Sequence, residues 1–320
     1  MEKQQEHWGS LPAWYLFLAA MGTSMFIIVA VTDMLGNQIS AQINGWVSLV
    51  SFAMSSVGAM LLMLELTHKT KGYLIIARPF ASILSFGGVI QSLYIPLVLV
   101  YASFFFNFIP WVGLVWLKMI VACLAILTGL LYVSYAGIEL GEAKGRAFWN
   151  GGGLTCLFLI NGAATGMAAL ILLMIILGYD GQAYTLAIKD LSVALLIAQA
   201  ITVPGYVLGM RLSSAEEARQ GADKLWRGDL SRSFWVGVIT LGTVVPVIIN
   251  LLFSSEYSLS LSSALILFGG IFFRVDFLRA AVRAALPGEE RDEPSRKEIV
   301  ELAATLESRW QEKARWLNRE

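Results

Sequence analysis

The chain has 320 residues, 57% of them apolar and 14% charged, with 23 basic and 23 acidic side chains and a formal net charge of zero. Apolar content that high with so little charge excludes an ordinary water-soluble domain and points to the lipid bilayer as solvent, and no nucleic-acid partner is expected. The two cysteines, Cys123 and Cys156, both fall in apolar windows without a CxxC pair, which excludes a disulfide framework and a thiolate-bound metal cluster within this chain.

A helix of about 20 apolar residues crosses roughly 30 Å of hydrocarbon. Eight such windows occur, at about 12–35, 43–67, 80–106, 112–138, 152–178, 188–210, 233–253 and 258–280. Span one follows the polar stretch MEKQQEHWGS; it is too long for a signal sequence and lacks a small-residue cleavage site, so it is expected to stay in the mature chain. Span two closes on LELTH, with Glu65 and His68 at its end. Lys118 lies about a turn and a half inside span four and is expected to snorkel to the surface. Further along span four, Tyr132, Tyr135, Glu139 and Glu142 are spaced by three, four and three residues. At 100° per residue they share a sector of about 80°.

Gln91, Asn161, Gln199 and Asn250 are spread over four spans, where interhelical hydrogen bonding is the expected role. Lys189 and Asp190 open span six as a solvated pair. The connection from Arg211 to Arg232 is mixed in charge and reads as a solvated surface. After Pro287 the chain becomes strongly charged; Ser295 and Glu298 form a capping-box pattern, and Ile299, Leu302, Leu306, Trp310 and Leu317 recur at helical spacing. The sequence thus predicts an all-α integral membrane protein. Residues 1–285 form an eight-helix membrane domain of two four-helix bundles, and residues 286–320 a charged tail with an amphipathic helix at the inner surface or against a partner.

Of the 23 Lys and Arg residues, 21 fall on the side of the N-terminus; Lys189 alone falls on the other, and Lys118 is within a span. The positive-inside bias places both termini in the cytoplasm, in agreement with an even span count. The outer connections are short, so a soluble partner is expected on the inner face.

The histidines, His7 and His68, both lie at the inner edge rather than within facing spans, so bound haem is not expected. Walker-A, HExxH and GxSxG patterns are absent. What remains is the polar content of the spans, costly in lipid and functional by default. The phenols of Tyr132 and Tyr135 can donate hydrogen bonds to a quinone carbonyl. A carboxylate or imidazole nearby can take or supply the accompanying proton. Aromatic-belt tyrosines and a solvated Glu139 are the plainer reading of the same residues.

The run SYAGIELGEAKGRAFWNGGG, from Ser134 to Gly153, resembles the SYPG and RPxWN pattern of the polysulfide reductase membrane subunits, the NrfD/PsrC-like quinone-interacting anchors. Supporting echoes are WYLFLAAMG in span one, LEL at the end of span two, FWVGVITLGTVVPV in span seven and LFGGIFFRVDFLRAA in span eight. The resemblance implies a haem-free subunit that exchanges electrons and protons with menaquinone or ubiquinone. Its partners would be a four-cluster iron-sulfur subunit and a molybdopterin catalytic subunit, and its place a prokaryotic inner membrane. Tyr135 matches the tyrosine lining the family's quinone pocket, Glu65 the acid after span two, and Arg274 the arginine of the last span. With Tyr132, Glu139 and His68 these are the candidate quinone-site residues. Ala136 and Ala147 replace the motif's two prolines, and the histidine expected inside span one is missing, with His7 nearer the surface. Well-known members carry this site on the outer face, whereas the charge count here places it on the inner face. A secondary transporter, with Pro96, Pro204 and Pro246 interrupting its spans, is the competing expectation, and an assembly subunit without quinone a third.

Overall fold

A computed structural model describes residues 10–36, 41–65, 82–143, 145–179, 182–284, 303–307 and 310. It divides into two compact units, Met1–Val282 and Arg283–Glu320. The expectations for His7, His68, Ser295, Glu298, Ile299, Leu302 and Leu317 concern residues outside this description. In the second unit, residues 303–307 are helical and, like Trp310, exposed.

The first unit is built from α1 (Ser10–Met34), α2 (Ala41–Glu65), α3 (Ile83–Ser103), α4 (Val115–Gly141), α5 (Leu154–Ile176), α6 (Gln182–Arg211) and the shorter α7 (Glu216–Trp226). A π-helical segment, Ser233–Val244, then runs into α8 (Val245–Leu252), and α9 (Glu256–Ala280) follows. No strand occurs among the described residues. Eight segments are long and apolar enough to span a membrane: α1 to α6, the joined π-segment and α8, and α9. The chain is therefore an all-helical, multi-pass membrane protein. Helices are what hydrocarbon permits, because each backbone donor finds its acceptor within the same segment.

Helix α1 packs on α2, α2 on α3, α3 on α4, and α4 back on α1; in the later half α5 meets α6 and α9, and the π-segment and α8 lie between α6 and α9. The halves meet mainly where α5 packs on α1 and α4, with α9 also touching α1. In its most apolar stretch α1 is 72% buried, against 28% for α2 and α3, so α1 is an axis and α2 and α3 form lipid-facing walls. Between apolar helices in lipid, close packing replaces the hydrophobic effect as the driving force. Gly166 accordingly lets α5 reach the backbone of α1, where a Cβ would lie 2.8 Å from the Met25 nitrogen.

Three local expectations are corrected. The connection from Arg211 to Arg232 is not simply solvated: it contains α7, whose Ala218, Gly221, Ala222 and Leu225 form a buried stripe at helical spacing. Gly221 sits against the Ala280 carbonyl and the ring of Phe148. Lys118 does not snorkel; its Nζ pairs with Asp33 Oδ2 at 2.8 Å and lies 5.2 Å over the ring of Phe105. Lys189 is buried and donates to Ser254 Oγ at 3.0 Å, with the exposed Asp190 only a distant partner at 3.8 Å.

The π-segment has its own hydrogen-bond logic. Thr240 and Thr243 donate their hydroxyls five residues back, to Trp235 O and Val238 O, each at 2.8 Å. Pro246, which has no N–H to give, stands in the first turn of α8.

Candidate functional site

Helix α4 continues to Gly141, so Tyr132, Tyr135 and Glu139 stand on one unbroken helical face near its C-terminal end. That end packs against the start of α1 and the first turns of α3. Tyr132 and Tyr135 are both only 3% exposed, which turns them inward rather than into an aromatic belt. The hydroxyl of Tyr132 accepts a hydrogen bond from Gln91 Nε2 on α3 at 2.7 Å, and its ring lies 5.6 Å from that of Tyr94. Tyr135 points at α3 where Gly87 has no side chain; a Cβ there would overlap the Tyr135 ring. The glycine is thus the socket for the ring.

The Tyr135 hydroxyl is buried without a hydrogen-bond partner of good geometry in the protein. Glu139, one turn on, is half-buried and within electrostatic reach of the phenols of Tyr15, Tyr132 and Tyr135. Tyr15 comes from α1 and is itself 4% exposed. Three phenols and a carboxylate from two helices therefore share one inward-facing place, with Gln91 and Gly87 contributed by a third. A buried O–H donor coupled to a carboxylate, between aromatic walls, suits a flat ligand with a carbonyl acceptor that gains or loses protons.

Of the remaining predicted residues, Glu65 and Arg274 stand on other helices. Glu65 is the last residue of α2, and His68 lies outside the described residues. Arg274 is fully buried on α9, caged by aromatic rings: its guanidinium carbon is 4.1 Å from the centre of Phe158 and 5.5 Å from that of Phe273. Its Nη2 donates to Phe158 O at 3.2 Å, while Nε and Nη1 have no protein partner. Among the described residues, no three His, Cys, Asp or Glu side chains gather as a metal site. Sequence reasoning missed Tyr15 and Gly87 at this site; the signals were the tyrosine of WYLFL and a glycine one turn before Gln91.

The stretch after α4 closes the site's end of the helix. Arg146 Nη1 donates to Ala281 O at 2.7 Å, and Trp149 Nε1 to Phe277 O at 2.9 Å, just past and within the last turn of α9. Tyr206 of α6 donates its hydroxyl to Phe148 O at 2.7 Å. The conspicuous Arg-Ala-Phe-Trp run thus ties α4 to the later half rather than entering the phenol cluster.

Over residues 1–282 the chain matches the family described as "Polysulphide reductase, NrfD". No curated protein matches it.

Proposed function

Because the chain belongs to the polysulphide reductase NrfD family, we propose that it is the quinone-reactive membrane subunit of a respiratory oxidoreductase in a prokaryotic inner membrane. In this reading electrons pass between the quinone pool and an iron-sulfur subunit, which in turn serves a molybdopterin catalytic subunit. The observation that carries it is the placement of Tyr135: a buried phenol in a socket made by Gly87, coupled through its hydroxyl to the Glu139 carboxylate and without a well-aligned hydrogen bond of its own. A buried hydroxyl without a good hydrogen bond costs about 1–3 kcal/mol, and a quinone carbonyl supplies a better-aligned acceptor.

Bound quinone supplies the two-electron carrier chemistry. Tyr135 donates to and orients one carbonyl, and Tyr132, held by Gln91, fixes the neighbouring wall. Glu139 takes or returns the proton, with Glu65 and His68 as further proton-handling groups by chain position. Arg274 enters as a buried cation whose Nε and Nη1 are free to meet an acceptor. The charge count places this end of the bundle, and hence the docked partners, on the cytoplasmic side.

The deciding experiment is quinol-dependent electron transfer by the purified complex carrying Tyr135→Phe. Loss of transfer with intact assembly supports the site; unchanged transfer removes it. An alkaline phosphatase fusion after Leu35 tests sidedness, and an inactive fusion there would overturn the cytoplasmic placement.

A further inference from the structure

We propose that the later half holds a phospholipid whose headgroup is a phosphodiester carrying a primary ammonium, in a cavity at the face opposite the Tyr135 end; the inference is independent of the quinone reading above. The cavity measures about 430 Å³ and lies where the end of α5, the start of α6 and the link from α8 to α9 come together. Tyr179, Thr185, Ser254 and Glu256 give it polar lining, while Met174, Leu186 and Leu259 contribute apolar surface. Ser254, Glu256 and Leu186 are exposed, whereas Met174 and Leu259 are buried, so the rim is open and the floor apolar.

Behind this rim stands Lys189, only 9% exposed, with its Nζ donating to Ser254 Oγ at 3.0 Å. An ammonium has three N–H donors, and Ser254 is a neutral acceptor. Among the described residues the carboxylate nearest to Lys189 is that of Asp190, which is 76% exposed and 3.8 Å away, beyond hydrogen-bond distance. A buried charge is costly without a close counter-charge. Lys118, the other lysine of the spans, meets that need through Asp33 at 2.8 Å; Lys189 does not, and the hydroxyl it holds lines the cavity. Having accepted from Lys189, Ser254 has its own hydroxyl proton to give. A phosphate oxygen seated there receives a hydrogen bond strengthened by the cation behind it.

The acidic side of the rim selects the rest of the headgroup. Glu256 lines the same cavity, and by sequence this end of the later half carries Asp180, Asp190 and Glu256 against Lys189 alone. A headgroup with negative charge only meets net repulsion here, whereas an ammonium beside the phosphate answers Glu256. A primary ammonium also brings N–H donors for that carboxylate, which a quaternary one lacks. The floor separates a lipid from a water-soluble phosphodiester with the same headgroup, because Met174 and Leu259 offer apolar surface that an acyl chain covers. The depth agrees: the apolar stretch of α6 opens at Thr185 and that of α9 at Glu256, which puts the rim at the boundary between hydrocarbon and headgroups. Seated there, the lipid clasps α5, α6 and α9 together.

The test titrates lipids into the full chain purified in detergent and counts bound copies by native mass spectrometry, with thermal unfolding read alongside. Phosphatidylethanolamine is expected to be retained and to raise the melting temperature, since a ligand of the folded state stabilises it. Phosphatidylglycerol with the same acyl chains is expected to bind about tenfold more weakly, the scale of one lost charge-assisted hydrogen bond. Ser254→Ala and Glu256→Gln alter exposed rim positions that the fold tolerates. Each should weaken phosphatidylethanolamine binding by about tenfold, and Glu256→Gln should also narrow the gap between the two lipids. Equal binding of the two lipids by wild type, or undiminished phosphatidylethanolamine binding in both variants, overturns the site. Glycerophosphoethanolamine, which has the headgroup without the acyl chains, is expected to leave the melting temperature unchanged at concentrations where the lipid saturates. If it stabilises the chain as the lipid does, the lipid assignment falls and the ligand is a free phosphodiester.

Discussion

In α1 to α4 the buried polar groups are phenols, hydroxyls and the Lys118–Asp33 pair, with single amides at Asn44 and Gln91; in α5 to α9 an amide chain takes the central place. Asn161 donates to Gln199 Oε1 at 3.2 Å, and Gln199 donates to Thr243 Oγ1 of the π-segment at 2.9 Å. Amides give and accept hydrogen bonds but neither gain nor lose protons near neutral pH, whereas a carboxylate titrates and a phenol offers an O–H donor. The amide chain runs α5, α6, π-segment, and so braces three helices across their shared interior. Ionisable groups of the later half lie instead toward its ends: Ser233 donates to Asp276 Oδ1 at 2.8 Å and Arg274 sits in its aromatic cage, while Lys189 is buried at the start of α6. Helices of similar length and apolarity thus carry phenols and hydroxyls at the core of one half and an amide brace at the core of the other.

The contrast is sharpest at Tyr135. Tyr135→Phe is expected to lower quinol-dependent electron transfer by about a hundredfold or more, the scale of a lost general acid or donor. Melting in detergent should change little, since the removed hydroxyl makes no well-aligned hydrogen bond with Glu139 or another described group. A rate within a few-fold of wild type would erase the distinction between the halves. Gly87→Ala comes next. Its Cβ must displace the Tyr135 ring, so it should destabilise by about 1–3 kcal/mol through overpacking and depress quinol turnover as well.

Gln199→Leu probes the other half. It removes two interhelical hydrogen bonds, each worth about 0.6 kcal/mol on average in a membrane protein, so thermal unfolding should come a few degrees earlier while quinol turnover stays at the wild-type rate. Turnover that fell with it would show the amide chain to be more than a brace. The smallest effect is expected from Gly205→Ala on α6, where a side chain would meet nothing within 4 Å. A gain of about 0.5–1 kcal/mol from better helix propensity should appear in the melt, with no change in turnover.

All eight spans were legible in the sequence because hydropathy summed over about 20 residues is a strong signal, and their observed ends lie within a few residues of those expected. The shared face of Tyr132, Tyr135 and Glu139 was legible for the same kind of reason, since helical phase needs no partner. What pairs with what was not legible. Lys118 carries no mark of Asp33, which lies in another span. Tyr15, Tyr94 and Tyr101 look like belt residues until helix packing turns them inward. The buried stripe of α7 escaped notice because Ala218, Gly221 and Ala222 contribute little hydropathy; their burial comes from small size against Phe148 and Ala280 rather than from apolar area. The π-segment differs from an α-helix only in which carbonyl each donor selects, and FWVGVITLGTV reads equally well as either.

The bonds from Arg146 and Trp149 to the end of α9 reach across 135 and 128 residues of sequence. Membrane helices of a growing chain emerge in order, N-terminal first, so the segment that ends α4 must wait for nearly the whole membrane region before its acceptors exist. Until α9 is synthesised, that segment has the Tyr206 bond from α6 but not those two. A chain that stops short of α9 thus holds every residue of the phenol cluster and still lacks these two fastenings.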